Sequence, residues 1–447
     1  TRDIEELKDF YGDKGYAYVD VKPRTDVHTD ARTVDLTFNI RKNDLVYVDR
    51  INILGNTRTR DKVIRREFYI EEEELYSSTK VKKSRYALKR LGFFDDVAID
   101  KVRGKTPDKI DLHVTVEERP TGSISAGIGY SSVDSIIGTA SIAQSNLFGT
   151  GLNLNLSGTL SASSSRFVMS FTEPYLLDKN LSAGVDLYNT SQEFQGFNTR
   201  KKGFSLRTGF PVYKRDTKAF IAYTLEDAEV LDVSTDASVF IKEQEGSRTE
   251  SSVTLTLTRD TRDDAFFPRR GSVVTYTGKV SGGVLGGNVY TLKHQLNAIQ
   301  YFPTPLNTTF SIRAQGGYLR GYAGRDAPIY ERFFLGGINT IRGFDTRSIS
   351  PKDPVTNDLI GGETMWVGNA EFLFPLVKGQ KMRGLLFFDV GNTYTGKVDF
   401  ADVRFATGTG VRWYSPVGPL RLELGINLNP RDDESRTQWD FTIGSTF

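Results

Sequence analysis

Hydrophobic and polar side chains alternate along much of the chain after residue 120. In the segment 420–428 every second residue is leucine or isoleucine, and the residues between them include Arg421 and Glu423. The last nine residues, Trp439 to Phe447, repeat this alternation with large apolar residues on one side. A period of two is that of a β-strand with one apolar and one polar face. The chain therefore ends on a predicted strand whose edge needs a partner.

Two β-architectures can supply that partner. A β-sandwich buries the apolar face of each strand, whereas a membrane β-barrel turns the same face toward lipid, so no single strand decides between them. The number and length of the strands favour the barrel. About sixteen alternating segments follow residue 120, each spanning roughly 20 residues with its turn. We therefore predict a sixteen-stranded antiparallel transmembrane β-barrel over residues 120–447, in which Arg421 and Glu423 face a water-filled lumen.

One connection between the predicted strands is far longer than a turn. It covers about residues 323–362 and contains the segment Leu335 to Phe344. Connections of this length in a compact domain are usually functional or disordered. We predict a functional loop inserted into the barrel.

The first 119 residues have a different pattern, with dense charge and apolar residues at helical spacing. Gly15 and Asp35 recur as Gly92 and Asp111 at nearly the same interval and in similar hydrophobic surroundings. A constant interval of this kind indicates a tandem module.

The second copy of this module has the order β-α-α-β-β. Its predicted elements are a strand at 46–54, a helix from Thr57 to about Tyr69 capped by Thr57, a helix at about 79–91, and strands near 93–101 and 109–118. The first copy shows only the last helix and the two strands. We therefore predict a partial module at 1–43 and a complete module at 44–119, and we expect further module sequence upstream of residue 1.

Composition agrees with this architecture. The chain of 447 residues is 38% hydrophobic, and a barrel dilutes its hydrophobic content because every second residue faces water. No run of 18 apolar residues predicts a transmembrane helix. The formal net charge of +2 gives no reason to expect nucleic-acid binding. Cysteine is absent, which excludes disulfides and thiolate metal sites. These residues contain no signal-peptide pattern, so we expect either a signal that was removed or a chain that is part of a longer protein.

The sequence offers no motif of an enzyme. The three histidines are scattered without the spacing of metal ligands, and the nucleophile motif G-x-S-x-G does not occur. Asp260 and Asp263 lie beside Arg262 at the end of a predicted strand, where a polar turn is a simpler interpretation than a metal site. We predict no catalytic residue, no metal and no cofactor.

Several motifs carry a family resemblance. They are Ile341-Arg342-Gly343-Phe344 in the long connection, Arg259 to Asp263, Gly408 to Trp413, Glu118 to Pro120 followed by Gly127 to Tyr130, and Asn146 to Gly149. The first of these resembles the loop signature of the Omp85 superfamily, and the β-α-α-β-β repeats resemble its POTRA domains. The terminal strand is similar to the β-signal by which outer-membrane barrels are recognised. The resemblance covers essentially the whole chain and is closest to the branch that assembles other barrels.

The resemblance implies a function, which is the folding and insertion of β-barrel proteins into the outer membrane of a Gram-negative bacterium without ATP. It implies unfolded outer-membrane proteins as clients, and accessory lipoproteins, periplasmic chaperones and outer-membrane lipid as partners. The POTRA modules are then expected in the periplasm. Their edge strands either accept clients by β-augmentation or pack against neighbouring modules. The assembly branch carries five POTRA modules, whereas this chain has one whole and one partial module.

The resemblance also implies partners for the loop arginine. By the family pattern, Arg342 pairs with Glu371 and Asp389 on the barrel wall. The alternation supports this independently, since each acid lies between apolar neighbours and is expected to point inward. The ordinary alternative is a solvated arginine and two solvated acids. We expect the pairing, with a structural rather than a catalytic role.

The two ends of the barrel sequence form the predicted seam. The first strand begins at Gly122 and contains Gly127 and Gly129, and the last strand contains Gly444 and Phe447. Glycine weakens strand order and packing, so this seam is predicted to open more easily than the rest of the wall. Following the family, we expect lateral opening there, with the terminal strand of a client pairing with the first strand.

Two other functions use a similar barrel. Exporters of one partner polypeptide, in the two-partner secretion branch, carry two POTRA modules and pass an unfolded chain through the lumen. A passive porin or ligand receptor needs no appended repeats. The expected upstream modules argue against the first function, and the repeats argue against the second.

Overall fold

The structure is a computed structural model that describes residues 2–213, 216–265, 267–377, 381–415 and 418–444. The chain forms two compact units. One comprises residues 1–123 and 144–153, and the other comprises residues 124–143 and 154–447.

The first unit contains the two repeats. The first repeat contributes α1 (Arg2–Gly12) and a hairpin of β1 (Asp20–His28) and β2 (Thr33–Arg41). The second contributes β3 (Tyr47–Leu54), α2 (Asp61–Arg65), α3 (Ser78–Arg90), β4 (Phe94–Arg103) and β5 (Lys109–Glu118). The predicted order β-α-α-β-β is confirmed. The three strands form a sheet in the order β3-β5-β4, with β3 parallel to β5 and β4 antiparallel to it.

The two helices of the second repeat cover its sheet and bury one apolar core. Val48, Ile110 and Leu112 of the sheet and Ile64 and Leu88 of the helices are fully buried in it. Because β5 is central, its apolar side chains are buried at every second position. This alternation is that of a strand whose side chains point to the two faces of the sheet in turn.

The helix predicted from Thr57 to about Tyr69 is wrong in its length, because α2 is only five residues long. Thr57 does not cap a helix. Its hydroxyl and the amides of Arg58 and Thr59 donate instead to the carboxylate of Glu118, at 2.9, 2.9 and 2.6 Å. A carboxylate that comes from the end of β5 thus holds the segment before α2 in a non-helical conformation.

From Gly122 onward, the described residues form a closed antiparallel barrel of sixteen strands, which confirms the predicted fold class. The strands are β6 (Gly122–Ser131), β7 (Ser135–Leu147), β8 (Leu152–Leu160), β9 (Ser164–Glu173), β10 (Ser182–Phe194), β11 (Phe197–Tyr213), β12 (Thr217–Leu231), β13 (Gly246–Asp260), β14 (Gly271–Ser281), β15 (Thr291–Pro303), β16 (Thr309–Gly321), β17 (Thr364–Pro375), β18 (Met382–Tyr394), β19 (Arg404–Ser415), β20 (Gly418–Asn427) and β21 (Thr437–Ile443). Each strand neighbours the next along the chain, and β21 returns to β6.

The alternation along each strand separates an outer apolar face from an inner face. In β18, Leu386 and Phe388 are exposed on the outside, whereas Leu385, Phe387 and Asp389 are buried on the inside. A barrel that turns leucine and phenylalanine outward has the surface that lipid requires. Among the described residues no helix is long and apolar enough to cross a bilayer.

The two ends of the barrel differ in their connections. Short turns join the strands at one end, for example at residues 304–308 between β15 and β16. At the other end the connection between β12 and β13 carries α4 (Val239–Lys242), and residues 322–363 between β16 and β17 carry a short 3-10 helix (Ile329–Glu331). We call residues 322–363 the lumen loop.

The lumen loop packs against the inner face of the wall. Its residues Ile341 and Phe344 share a buried apolar cluster with Val367 of β17. The prediction that Arg421 and Glu423 face water is wrong, since they are only 9% and 1% exposed. The loop covers these side chains, which an empty lumen would leave hydrated.

Candidate functional site

Arg342 lies in the middle of the lumen loop and is 2% exposed. Its guanidinium donates two parallel hydrogen bonds to Asp389 of β18, from Nε to Oδ2 at 2.7 Å and from Nη2 to Oδ1 at 2.6 Å. Its Nη1 donates to Glu371 of β17 at 2.7 Å and to Glu423 of β20 at 3.0 Å. The structure therefore brings Arg342 together with the two acids that the sequence indicated and with a third, Glu423, that sequence reasoning missed.

Two arginines of the wall complete this arrangement. Arg412 of β19 donates to Glu371 at 2.7 Å and to Glu423 at 2.9 Å. Arg421 of β20 donates to Glu423 at 2.6 Å and to the main-chain oxygen of Ile338 in the loop at 2.7 Å. Three guanidinium groups thus face three carboxylates. We call the set the arginine cluster, which consists of Arg342, Arg412, Arg421, Glu371, Asp389 and Glu423.

Apolar contacts fix the loop motif around Arg342. The central carbon of its guanidinium lies 3.6 Å from the centre of the Phe387 ring, a cation–π contact. Ile341 and Phe344, on either side of the Arg342-Gly343 pair, are buried among wall residues. All four residues of the motif are therefore held against the inside of the barrel.

Gly343 passes very close to the wall strand β20. Its φ of 82° is one that favours glycine. A Cβ atom on Gly425 of β20 would lie 2.2 Å from the amide nitrogen of Gly343. Glycine at both positions is what lets the two backbones approach this closely.

The arginine cluster is suited to holding the loop rather than to proton transfer. Burial opposes the charge on Arg342, but its hydrogen bonds to Asp389 and the charges of Glu371 and Glu423 outweigh burial and raise the pKa of Arg342 above its ordinary value. An arginine in this state stays protonated. Removal of one partner from a buried ion pair leaves an uncompensated charge and costs about 3–5 kcal/mol.

A second cluster of ion pairs holds the beginning of the lumen loop. Oε1 of Glu331 lies 3.3 Å from Nζ of Lys201 on β11 and 3.2 Å from Nζ of Lys279 on β14. Oε2 lies 3.1 Å from Nζ of Lys293 on β15, which also donates to the main-chain oxygen of Glu331 at 2.7 Å. The polarity is the reverse of the first cluster, because here the loop carries the acid and the wall carries the cations.

Two glutamates of the wall complete this second cluster. Glu226 of β12 lies 3.1 Å from Lys201, and Glu250 of β13 lies 2.5 Å from Lys279. Glu226, Glu250 and Glu331 bring one oxygen each within 4.8 Å of one another, as the ligands of a metal ion would. The three ammonium groups already balance the three carboxylates, so we interpret the set as ion pairs. We call it the lysine cluster, which consists of Lys201, Lys279, Lys293, Glu226, Glu250 and Glu331.

The lysine cluster keeps Glu331 ionised. Burial opposes the negative charge of Glu331, but the three lysines outweigh burial and hold the pKa of Glu331 well below its ordinary value. Sequence reasoning missed this cluster. Charged residues such as Lys279 and Lys293 inside β-alternating segments were a signal for cations in the lumen, but nothing local marks Glu331 as their partner.

The acidic segment at the end of β13 forms a turn. Arg262 pairs with Asp260, with 2.7 Å between Nη2 and Oδ2. Asp263 accepts hydrogen bonds from the amides of Arg269 and Arg270 at 2.9 and 3.2 Å. These hydrogen bonds place Asp260 and Asp263 in a polar turn, which is the simpler of the two interpretations of the sequence.

The barrel closes at a seam between β6 and β21. Within the described residues, Thr442 pairs with Ser131 and Ile443 with Tyr130. By contrast, β20 pairs with β21 over seven residues. Over the described residues, which end at Gly444, β21 thus has fewer pairs with β6 than with β20.

The two strands of the seam approach each other at glycine. A Cβ atom on Gly129 would lie 2.7 Å from the main-chain oxygen of Ile443. Gly444 has a φ of 77°, and a Cβ atom there would lie 3.1 Å from the main-chain oxygen of Ile128. Larger residues would push these backbones apart.

The other predicted seam residues lie along β6 or beyond the described chain. Gly122 and Gly127 are exposed and precede the positions that pair with β21. Ile124 and Ile128 on the same part of β6 are 82% and 84% exposed. Phe447 lies outside the described residues.

Two family profiles match the sequence of this chain. The profile of the Omp85 superfamily domain matches residues 146–447. The POTRA profile, described as a surface antigen variable number repeat, matches residues 1–43 and 46–119.

Individual relatives agree with the profiles. The chain is 33% identical over its whole length to the outer membrane protein assembly factor BamA of Nitratidesulfovibrio vulgaris, and 32% identical over 93% of its length to the BamA of Neorickettsia risticii. It spans 57% of the length of each of these relatives.

A solved structure shares the fold. The crystal structure of BamA from Haemophilus ducreyi lacking POTRA domains 1–3 superimposes with a TM-score of 0.86 and 24% identity, covering 99% of this chain and 92% of the other. The sixteen-stranded barrel, the two repeats and the profile matches lead to one conclusion. The chain belongs to the Omp85 superfamily and is a protein of the Gram-negative outer membrane with POTRA modules in the periplasm.

Proposed function

We propose that this protein folds other β-barrel proteins and inserts them into the outer membrane, using neither ATP nor covalent chemistry. The observation that carries the proposal is the seam between β6 and β21, where the described residues pair at two positions and the two backbones approach at Gly129 and Gly444. The names of the relatives, which are outer membrane protein assembly factors, support the same function.

The proposed mechanism is lateral opening of the seam. In the bilayer each backbone N–H or C=O group without a partner costs several kcal/mol. Once β21 moves away, the edge of β6 is therefore a strong acceptor for any strand that can pair with it. The terminal strand of an unfolded client pairs with β6 by β-augmentation, in which main-chain bonds give affinity without regard to most of the client sequence.

The lumen loop has a part in this mechanism. The two ion-pair clusters join the loop to strands that lie between β11 and β20. We propose that this part of the wall stays rigid while β6 and β21 separate. Arg342, with Glu371 and Asp389, is then a positioning residue of the wall rather than a catalytic one.

The periplasmic modules offer further edges for clients. Within the described residues, the sheet order β3-β5-β4 leaves β4 as the open edge strand, because the outer side of β3 is hydrogen-bonded to residues 73–76, for example from the Val48 amide to the main-chain oxygen of Glu74 at 2.9 Å. We propose that the edge of β4 receives extended clients, which periplasmic chaperones deliver, and that accessory lipoproteins bind the POTRA region. Outer-membrane lipid surrounds the apolar exterior of the barrel. The protein acts as an assembly factor and not as an enzyme, and it needs no cofactor.

Reconstitution tests this function directly. The protein is inserted into liposomes, an outer-membrane β-barrel client is diluted into them from urea, and its folding is followed by the altered gel mobility of the folded barrel. We expect faster and more complete folding than in empty liposomes of the same lipid, and the same rate with or without ATP. Equal folding in empty liposomes contradicts the proposal, and a requirement for ATP contradicts the proposed energetics.

A further inference from the structure

Asp440 is a buried carboxylate at the seam between β6 and β21. It lies on β21 and is 3% exposed. Its Oδ1 accepts a hydrogen bond from the hydroxyl of Ser132, in the turn after β6, at 3.3 Å. Within the described residues its Oδ2 is buried and accepts no hydrogen bond. A buried carboxylate oxygen without a donor is uncommon in folded proteins, and it destabilises the state that buries it.

The charged groups around Asp440 leave its carboxylate without a cation of its own. Glu423 of β20 lies directly opposite in the strand register, and like charges opposite each other destabilise an antiparallel pair. Asp345 of the lumen loop also repels the charge of Asp440, whereas Arg421 of β20 attracts it. Arg421, however, directs its hydrogen bonds to Glu423, at 2.6 Å from Nε and 2.9 Å from Nη2, and to the lumen loop. In the described part of the chain, no arginine or lysine donates to Asp440.

Asp440 is therefore an additional negative charge beside the arginine cluster. In that cluster three guanidinium groups face three carboxylates, so no positive charge is left over to balance a fourth carboxylate. A buried charge without a partner is energetically costly. The cost falls when the charge gains water, so a movement that hydrates Asp440 is favoured.

Separation of β21 from β6 is such a movement. Across the seam the Ser132 amide donates to the main-chain oxygen of Phe441 at 2.9 Å, and the Phe441 amide donates to the Ser132 hydroxyl at 3.3 Å. When these bonds break, Ser132 also leaves the carboxylate of Asp440. The open seam then no longer encloses this carboxylate, and water can reach it.

We propose that Asp440 is a positioning residue of the seam, whose buried and uncompensated charge favours the separation of β21 from β6. The charge raises the free energy of the closed seam more than that of the open seam, because only the closed seam keeps the carboxylate from water. This role rests on the lateral opening proposed above for client insertion. Asp440 acts through the position of β21 rather than through contact with a client.

Hydrogen exchange of the purified protein in detergent tests this role without any client. Asp440→Asn keeps the shape of the side chain and its acceptor for Ser132 but removes the charge. We expect the amides of Ser132 and Phe441, which bond across the seam, to exchange about tenfold more slowly, since the closed seam no longer buries an unpaired charge. Amides between β13 and β14 should be unchanged. Mass spectrometry with single-residue resolution measures both sets.

Asp186→Asn is the matched control. Asp186 is an acid of the wall on β10, and it has a cation of its own, since it lies 2.8 Å from Nε of Arg207. Removal of its charge should leave the exchange of the seam amides unchanged. Asp440→Glu keeps the charge at the seam, and its seam amides should exchange at least as fast as those of the unmodified protein.

Unchanged or faster exchange of the seam amides in Asp440→Asn overturns the proposal. Faster exchange is what a merely structural role predicts, because a side chain that only holds the seam closed weakens the seam when it is replaced. Slower exchange in Asp440→Glu overturns the proposal as well, since the charge is then not the cause. So does an Asp440→Asn chain that does not fold, because loss of the charge should stabilise the closed barrel.

Client folding in liposomes by Asp440→Asn separates this role from the proposed assembly function. Slower seam exchange together with slower client folding supports both. Slower seam exchange with unchanged client folding supports the role of Asp440 and contradicts lateral opening as the route of insertion.

Discussion

The carboxylate of Asp389 accepts both edges of the Arg342 guanidinium, with 2.7 Å from Nε to Oδ2 and 2.6 Å from Nη2 to Oδ1. The amide of Arg342 also donates to Oδ2 of Asp389 at 3.0 Å. A bidentate pair of this kind fixes direction as well as distance. It holds both the backbone and the side chain of the lumen loop against β18, where a single-point contact would leave the loop free to rotate.

Loss of Arg342 should destabilise the barrel. Arg342→Met leaves the three carboxylates of the arginine cluster with two guanidinium groups, and we expect the free energy of unfolding to fall by about 3–5 kcal/mol. The free energy of unfolding of Arg342→Lys should lie between those of Arg342→Met and the unmodified protein, since lysine keeps the charge but not the planar fork. Urea unfolding in detergent, followed by tryptophan fluorescence, measures the change.

A matched control separates this effect from the loss of any arginine. Arg200 pairs with Glu229 at 3.6 Å, and the two side chains are 51% and 37% exposed. Arg200→Met should cost no more than about 1 kcal/mol. Equal destabilisation by the two methionine variants would show that the arginine cluster does not anchor the loop.

The two clusters should hold the lumen loop jointly. Glu331→Gln leaves the wall lysines short of one carboxylate, but Arg342 still holds the middle of the loop. Arg342→Met removes the attachment in the middle of the loop, but Glu331 still holds its beginning. We expect each single variant to keep the loop protected from trypsin, which cleaves after arginine and lysine, and the double variant to be cut at Arg347 or Lys352.

Mass spectrometry of the tryptic fragments reads out this prediction. The control is the unmodified protein, digested for the same time in the same detergent. Cleavage within residues 322–363 in the Glu331→Gln variant alone would mean that the arginine cluster does not hold the loop by itself. Protection in the double variant would mean that neither cluster is needed.

The close approach of the loop to β20 should not tolerate a methyl group. In Gly425→Ala the added Cβ would meet the amide nitrogen of Gly343 at 2.2 Å, so the loop motif must move away from the wall. We expect a loss of stability of about 1–3 kcal/mol, as for other overpacked sites. In Gly316→Ala on β16 the added Cβ would have nothing within 4 Å, so this variant is the control. Equal unfolding midpoints for the two variants would contradict the close packing of Gly343.

The contact between α1 and α3 should depend on pH. Asp13 accepts hydrogen bonds from the Thr79 amide at 2.8 Å and from the Thr79 hydroxyl at 2.6 Å. Burial opposes its charge, but the hydrogen bonds from Thr79 and Ser77 outweigh burial and lower the pKa of Asp13 below its ordinary value. Such a carboxylate stabilises the fold above the pKa of the unfolded chain, about 3.9 for Asp, and this contribution disappears as the pH falls through the folded-state pKa.

Hydrogen exchange at the Thr79 amide measures this dependence. We expect its protection factor, which corrects for the intrinsic effect of pH, to be constant from pH 7 to 5 and to fall below about pH 4. Asp13→Asn should remove the dependence, whereas Asp30→Asn, in the turn between β1 and β2, should keep it. The change is small in energy, at most about 1 kcal/mol, because Asp13 is exposed. A protection factor that is independent of pH in the unmodified protein would contradict the assignment.

Local pattern predicted most of the fold but only part of the site. The alternation around Asp389 indicates an inward carboxylate because the side-chain period of a strand is two, whatever the rest of the chain does. The burial of Glu423 did not follow from its strand, since it depends on a loop that enters the lumen and whose Arg342 lies 81 residues earlier in the sequence. The late start of α2 likewise depends on Glu118, which is 60 residues distant from Arg58.

A disulfide across the seam tests whether β6 and β21 separate laterally. The chain has no cysteine of its own. Ser131 and Thr442 are paired across β6 and β21, so Ser131→Cys with Thr442→Cys places two thiols opposite each other at the seam. Thr258→Cys with Thr275→Cys is the control, because these residues are paired between β13 and β14 and their hydroxyls lie 3.3 Å apart.

The decisive measurement is the rate of client folding in liposomes by these two variants, each oxidised and then reduced. We predict that oxidation stops client folding by the seam variant, that reduction restores it, and that the β13–β14 variant is equally active in both states. Undiminished folding by the oxidised seam variant, with the disulfide verified on the same sample, would contradict lateral opening between β6 and β21.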